Sequence, residues 1–290
     1  MWSHRETYPA GVPCWIETLQ RDVDAALDFY GSLFGWDFGS PAHMPGAATG
    51  RYFVARLEGR AVAGIGSLTD DRRGPRSIWL THVRVERVDA AADRAREAGG
   101  TLLDGPLDAL PAGRLAVLAD QAGAQFAVWE AGAREGSQLI NVPGAWDLSS
   151  LRTSDLEGSN EFYGSMFGWR PELFAGSGRV TLWRLPGYVG GQPGQGAPRD
   201  TVAVMTPLGG PSSAGADNPH WSVDFYCDDA DDIAARTAGL GGTVIVPPYD
   251  NPGFRAAVLA DPQGATFTVS QQLTDPADAI SPEGERRVTR

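Results

Sequence analysis

An eight-residue block occurs twice in this chain: Phe29 to Trp36 reads FYGSLFGW and Phe162 to Trp169 reads FYGSMFGW, with one difference, at an offset of 133 residues. An aromatic-rich match of that length makes internal duplication the first constraint on the fold. A second echo supports it, since ADQAGAQF from Ala119 matches ADPQGATF from Ala260 at an offset of 141 residues. The extra residues fit an insertion in the second copy, assigned to the Gly/Pro-rich segment Pro186 to Asp200. A chain of 290 residues holds two domains of ordinary size. The expected boundaries are 1–137 and 138–275, joined near Gly136 to Gly144, with a loosely ordered polar tail over 276–290.

Hydrophobic periodicity gives each copy the same order of elements. Val12 to Gln20 alternates as a strand, and Asp22 to Leu33 carries a helical stripe of Val23, Ala26, Leu27, Tyr30 and Leu33 that stops at Gly35. Strands follow at Tyr52 to Leu57 and Ala61 to Leu68 around a turn at Glu58 to Arg60. The order then repeats: strand Ile78 to Val85, helix Val88 to Ala98, and strands near Thr101, Leu115 to Ala119 and Gln125 to Glu130. In the second copy the unit-opening strands are Ala145 to Arg152 and Trp221 to Cys227, and the helices are Leu156 to Met166 and Ala230 to Ala238. The turns at Asp120 to Gly123 and Asp261 to Gly264 suit an Asp bonding its own backbone and a Gly at positive φ. The expected fold class is α+β: two tandem domains, each of paired βαβββ units forming a cupped mixed sheet with helices outside.

Composition narrows the chemistry. The net charge is −12, and all 24 basic residues are Arg. No basic patch is concentrated enough for a nucleic-acid partner. Without Lys there is no Schiff base, pyridoxal anchor or P-loop lysine. Cys14 and Cys227 are far apart, which predicts neither a disulfide framework nor a thiolate zinc site, and suits a reducing compartment. No stretch approaches a membrane span, so the expectation is a cytoplasmic protein, either monomer or homodimer, with a small-molecule partner.

The strand, the D-(V/L)-x-x-(A/S)-x-x-FY-x-x-(L/M)-FGW helix and the DPxG-type turn together resemble the vicinal oxygen chelate superfamily, which includes glyoxalase I, bleomycin-resistance proteins and extradiol dioxygenases. The resemblance spans roughly Gly11 to Gln272 in two copies. It implies cups in which metalloenzyme members chelate a divalent ion through one residue from each of four strands. Carried onto this sequence, those positions are Trp15, Ala127 and the vicinity of Leu80 in the first copy, and Leu148, Thr268 and the vicinity of Ser222 in the second. None is a carboxylate or imidazole, so the expectation is a site without metal or other cofactor.

Residues two apart on a strand share a face, which extends the candidate linings. In the first copy these include Trp15, Glu17, His82, Arg84, Gln125 and Trp129; in the second, Arg152, His220, Ser222, Asp224, Tyr226 and Thr268. Glu17 with His82, or His220 with Asp224 and Tyr226, would serve as proton-transfer groups; the alternative is ordinary hydrogen bonding of strand residues. Arg84 and Arg152 either grip a ligand carboxylate or pair with Glu17 or Asp224. Trp15 and Trp129 offer stacking surfaces, whereas Trp79, Trp221 and the FYGS-(L/M)-FGW residues are assigned to core. Gly187 to Asp200 is either a flexible lid or a long hairpin turn. Three functions follow: metal-free isomerase, cyclase or lyase chemistry; sequestration of a metabolite or drug without chemistry; and, against the ligand positions, metal-dependent glyoxalase activity.

Overall fold

The computed structural model describes residues 7–47, 49–69, 77–174, 180–190, 200–209, 218–251 and 253–273. The expected C-terminal tail and positions 191–199 of the Gly/Pro-rich segment lie outside the described residues. The first copy runs β1 (Pro13–Gln20), α1 (Val23–Phe34), β2 (Asp37–Phe38), β3 (Ala42–His43), β4 (Arg51–Leu57), β5 (Arg60–Ser67), β6 (Trp79–Arg84), α2 (Val88–Glu97), β7 (Thr101–Ala109), β8 (Gly113–Ala119) and β9 (Gln125–Ala131). The second runs β10 (Trp146–Thr153), α3 (Leu156–Phe167), β11 (Arg170–Leu173), β12 (Thr181–Arg184), β13 (Thr201–Pro207), β14 (His220–Tyr226), α4 (Ala230–Gly239), β15 (Thr243–Asn251), β16 (Phe254–Ala260) and β17 (Thr266–Gln272). Each copy forms its own mixed sheet, ordered β2-β4-β5-β1-β6-β9-β8-β7 and β11-β12-β13-β10-β14-β17-β16-β15. The fold is therefore α+β with paired βαβββ units, as the repeat implies.

The duplicated block is explained by how its helix starts, stops and packs. Asp22 and Asp155 cap the two helices, accepting from the backbone N–H of Ala25 at 3.0 Å and Gly158 at 2.9 Å. Gly35 and Gly168 then take left-handed φ of 71° and 75°, which ends each helix at the FG of the block. Phe29, Tyr30, Leu33, Phe34 and Trp36 are buried, as are their second-copy counterparts.

The cores do not follow the sheets. One combines the first unit of the first copy with the second unit of the other, so that α1 meets Phe225 and Phe267. The second core reverses this, placing Phe162, Tyr163 and Phe167 of α3 against Phe126 and α2. Representative ring separations are 4.8 Å for Phe34–Phe225 and 5.6 Å for Phe126–Tyr163. Trp79 and Trp221 are buried in these cores, as expected from their phase.

A pair of polar latches crosses the same boundary. Asp261 turns its own chain, with Oδ1 accepting from the N–H groups of Gln263 and Ala265, both at 2.9 Å. Its Oδ2 accepts from Tyr30 of the other copy at 2.9 Å and from Gln20 at 2.7 Å. Tyr30 in turn accepts the indole N–H of Trp79 at 3.0 Å. The mirror set is Asp120, accepting from Ala122, Ala124 and, across the boundary, Tyr163 at 3.0 Å, with Trp221 donating to Tyr163 at 2.8 Å. Burial pushes both carboxyls above their usual range, while these donors pull them back. The joining segment is also fixed: Ser137 N–H donates to the Cys14 carbonyl at 2.7 Å, and Gln138 N–H to that of Ala61 at 2.7 Å.

Candidate functional site

Inward side chains of β1, β4, β5, β6 and β9 build the floor of the first cup. Strand pairing places Trp15 opposite His82 and His82 opposite Ala127. In the second cup Leu148 lies opposite Asp224, and Asp224 opposite Thr268. Level with the other two positions on the opening strand of each second unit are thus His82 and Asp224, rather than Leu80 and Ser222, which sit two residues away.

A buried cluster centres on Glu17. Tyr52 donates its hydroxyl to Glu17 Oε2 at 2.8 Å, and Trp15 Nε1 donates to the Tyr52 oxygen at 3.0 Å. His82 Nε2 lies 3.3 Å from the other carboxylate oxygen, without the alignment of a full hydrogen bond. The Nδ1 of His82 has no hydrogen-bond partner among the described residues. Gly64 makes the cluster possible, since a Cβ there would fall 1.9 Å from the Tyr52 hydroxyl oxygen. Burial and the Glu17 charge push the Tyr52 phenol well above its usual range, so it stays protonated and donates.

Trp129 meets the His82 ring edge-on at 6.2 Å, and its Nε1 donates to the Arg134 carbonyl at 2.9 Å. Arg84 lies 3.7 Å from Glu135 and donates to the Val85 carbonyl; it forms no pair with Glu17. Gln125 is exposed at the start of β9, removed from the floor it was expected to line. Arg134, on the segment after β9, was not among the expected residues. Its guanidinium lies 5.1 Å from the Trp15 ring centroid and 5.9 Å from that of Tyr52.

The second cup is polar and largely occupied with itself. Ser150 donates to Asp224 Oδ2 at 2.9 Å, Ser222 and Thr268 share a hydrogen bond of 3.2 Å, and Arg152 donates to Thr206 at 2.6 Å. His220 contacts the Asn218 carbonyl through Nδ1 at 2.9 Å, and burial lowers its pKa. Being four residues from Asp224 on one strand, it is roughly 13 Å away along the chain, so the expected His220–Asp224 pair does not assemble. Burial raises the Asp224 carboxyl, against the pull of Arg152, Ser150 and Thr268. Asp147, at the irregularity in the β10–β14 pairing, is raised to about 7 by burial and then by the Asp224 charge. Tyr226 is half-buried at the end of β14, its phenol raised by burial and by Asp228 and Asp147.

The donor set does not fit the divalent ion of the metalloenzyme members. The level positions supply indole, imidazole and methyl in the first cup, and isobutyl, carboxyl and hydroxyl in the second. The residues level with Glu17 and Leu19 on the adjoining strand β5 are Gly64 and Gly66, and those level with Ser150 and Arg152 on β13 are Val204 and Thr206. Among the described residues no group of three or more His, Cys, Asp or Glu converges.

Comparison with known proteins agrees with the architecture. The glyoxalase/bleomycin resistance protein/dioxygenase superfamily profile matches residues 15–128, and a glyoxalase-like domain profile matches 149–270. The anthracycline biosynthesis protein DnrV of Streptomyces peucetius is 34% identical over 274 residues, covering 90% of this chain and 94% of its own. The "Putative glyoxylase CFP32" of Mycobacterium bovis is 35% identical over 270 residues, covering 91% and 96%. Among solved structures, the Mn(II)-bound glyoxalase of Novosphingobium aromaticivorans aligns with a TM-score of 0.58 at 16% identity, covering 92% of this chain and 83% of that one. The 2,3-dioxygenase LapB of Pseudomonas sp. KL28 aligns at 0.59 with 10% identity, covering 94% and 96%. With two tandem domains matched and relatives aligned over nearly their whole length, this chain belongs to the glyoxalase/bleomycin resistance protein/dioxygenase superfamily.

Proposed function

We propose that the protein binds a small organic molecule in its first cup and moves a proton on it through Glu17, without a resident metal ion. The observation that carries this reading is the Glu17 carboxylate, held by the Tyr52 hydroxyl on one oxygen and approached by His82 on the other. Such a carboxylate accepts a proton from a carbon beside a carbonyl, the electron pair moving onto the carbonyl oxygen. Return of the proton to a different carbon gives isomerisation, and departure of a β-substituent gives a lyase reaction. Relatives named for anthracycline biosynthesis support a small organic guest.

The test is deuterium uptake from D2O into enolisable aromatic ketones, followed by NMR. The wild type is expected to catalyse exchange, and Glu17→Gln to lose at least ~100-fold in rate while still binding. An unchanged rate in Glu17→Gln, or a stoichiometric divalent ion in the purified protein, overturns the reading. Sequestration without chemistry is favoured by a different observation, the burial of Glu17 and His82 to 5% and 1% exposure. Tight binding with the guest recovered unchanged and undeuterated would establish it.

A further inference from the structure

We infer that Arg134 is the anion-recognising residue of the first cup, selecting planar guests that carry a carboxylate, phenolate or enolate oxygen. The inference rests on the first cup being the guest site and adds the class of guest.

Three observations converge on this residue. Its guanidinium is half-buried over the faces of Trp15 and Tyr52, and among the described residues it has no hydrogen bond or ion pair. This sets it apart from Arg84, which faces Glu135, and from Arg114, which is bound by two aspartates. Stacking uses the face of a guanidinium and leaves its in-plane N–H groups available, the fork that matches two oxygens of an anion. Its backbone is also held in place: the carbonyl accepts from Trp129 Nε1 at 2.9 Å, and its N–H donates to the Ala112 carbonyl at 3.0 Å. The two inward tryptophans therefore fix Arg134 together, Trp129 through the main chain and Trp15 through the side chain. A cation so placed needs little reorganisation when an anion arrives.

Charge requirements in the cup agree. Glu17 and the protonated Tyr52 supply a carboxylate and a neutral donor, and proton abstraction beside a carbonyl leaves negative charge on the guest oxygen. Arg134 is close enough for its charge to act on the Tyr52 phenol. A guest bearing an anionic oxygen thus has a counter-charge over Trp15 and Tyr52 and a base in Glu17.

Calorimetric titration with a matched pair of probes, 2-naphthoate and 2-naphthamide, tests this near neutral pH. The wild type is expected to bind the anion about tenfold tighter, equivalent to about 1.4 kcal/mol. Arg134→Gln should bring the ratio to near unity. Arg134→Lys, which keeps the charge but lacks the planar fork, should lower the ratio at least ~threefold; it carries the test if Arg134→Gln fails to fold. A wild-type ratio near unity, absence of binding by both probes, or a ratio that survives both substitutions overturns the inference. Because the readout is a binding ratio, it is separable from the exchange assay. Loss of preference in Arg134→Gln with exchange intact in Glu17→Gln would sink the catalytic reading and leave this one standing; the reverse pattern would do the opposite.

Discussion

The two cups are built on one template and filled with opposite chemistry. Position for position, Trp15 corresponds to Leu148, Glu17 to Ser150, His82 to Asp224 and Trp129 to Ser270. The carboxylate has moved from the first strand of its copy to the opening strand of the second unit, and its partner has moved the other way. The first cup keeps aromatic walls, a stacked Arg134 and a His82 Nδ1 without a hydrogen-bond partner. In the second, the Ser150–Asp224, Ser222–Thr268 and Arg152–Thr206 bonds link much of the polar floor to itself. The latches at Asp120 and Asp261 meanwhile share the tyrosine, the indole and the turn amides, and Asp261 adds the Gln20 amide. The joint between copies has thus kept its chemistry while the linings separated.

The most demanding test of that contrast is to break each latch. Asp120→Ala strands a buried Tyr hydroxyl and two turn amides, Asp261→Ala strands the Gln20 amide as well, and each is expected to cost about 3–4 kcal/mol in urea unfolding, Asp261→Ala the more. The two losses should agree within about 1 kcal/mol. A large inequality would mean that the joint has diverged along with the cups.

A smaller effect separates the positions at the irregularity of each opening strand, Cys14 in the first copy and Asp147 in the second. The Asp147 carboxyl is raised to about 7 in the folded protein, whereas the unfolded value is near 3.9. Between these values the folded state holds a proton that the unfolded state has released, so stability falls as pH rises from about 4 to about 7. Burial raises the Cys14 thiol far enough to keep it neutral throughout this window, so this position of the first copy adds no matching slope. Asp147→Asn should flatten the profile, with stability rising relative to wild type above about pH 7 and unchanged below about pH 4. An unaltered slope would place the Asp147 carboxyl in solvent.

The frame was legible in the sequence because it is written in local signals. The stop at Gly35 and the Asp-x-x-Gly turns fix a helix end and two hairpins within a few residues, and they fall where expected. The two-residue strands β2 and β3 carry too few positions for periodicity to register. The site was only partly legible, because it depends on how distant strands pair. Glu17 and His82 were found by alternation along single strands. Their level, however, is set by pairing β1 with β6 across some sixty residues of chain, and that register replaced Leu80 with His82 and Ser222 with Asp224. The same limit produced the His220–Asp224 pair, which shares a face without sharing a place. Arg134 follows the last strand of its copy, where no periodicity points inward, and in the sequence pattern Tyr52 is only the start of a strand.

The smallest expected effect probes the outer faces. Arg114 on β8 binds Asp89 of α2 and Asp108 of β7, both at 2.8 Å, and Arg255 on β16 binds Asp231 of α4 at 2.6 Å and Asp250 of β15 at 2.7 Å. Each fork ties the second helix of its copy to the hairpin beneath it, and each neighbouring carboxylate draws on the same guanidinium. The aspartates are exposed and the two guanidiniums partly so, so solvent screens their attraction and side-chain ordering offsets part of it. Arg114→Ala and Arg255→Ala should therefore lower the urea midpoint slightly and equally, and the difference should vanish in about 1 M salt. Equality here would extend the shared frame from the buried joint to the solvent face. An effect confined to one copy, or one that persists in salt, would show that divergence reaches beyond the cup linings.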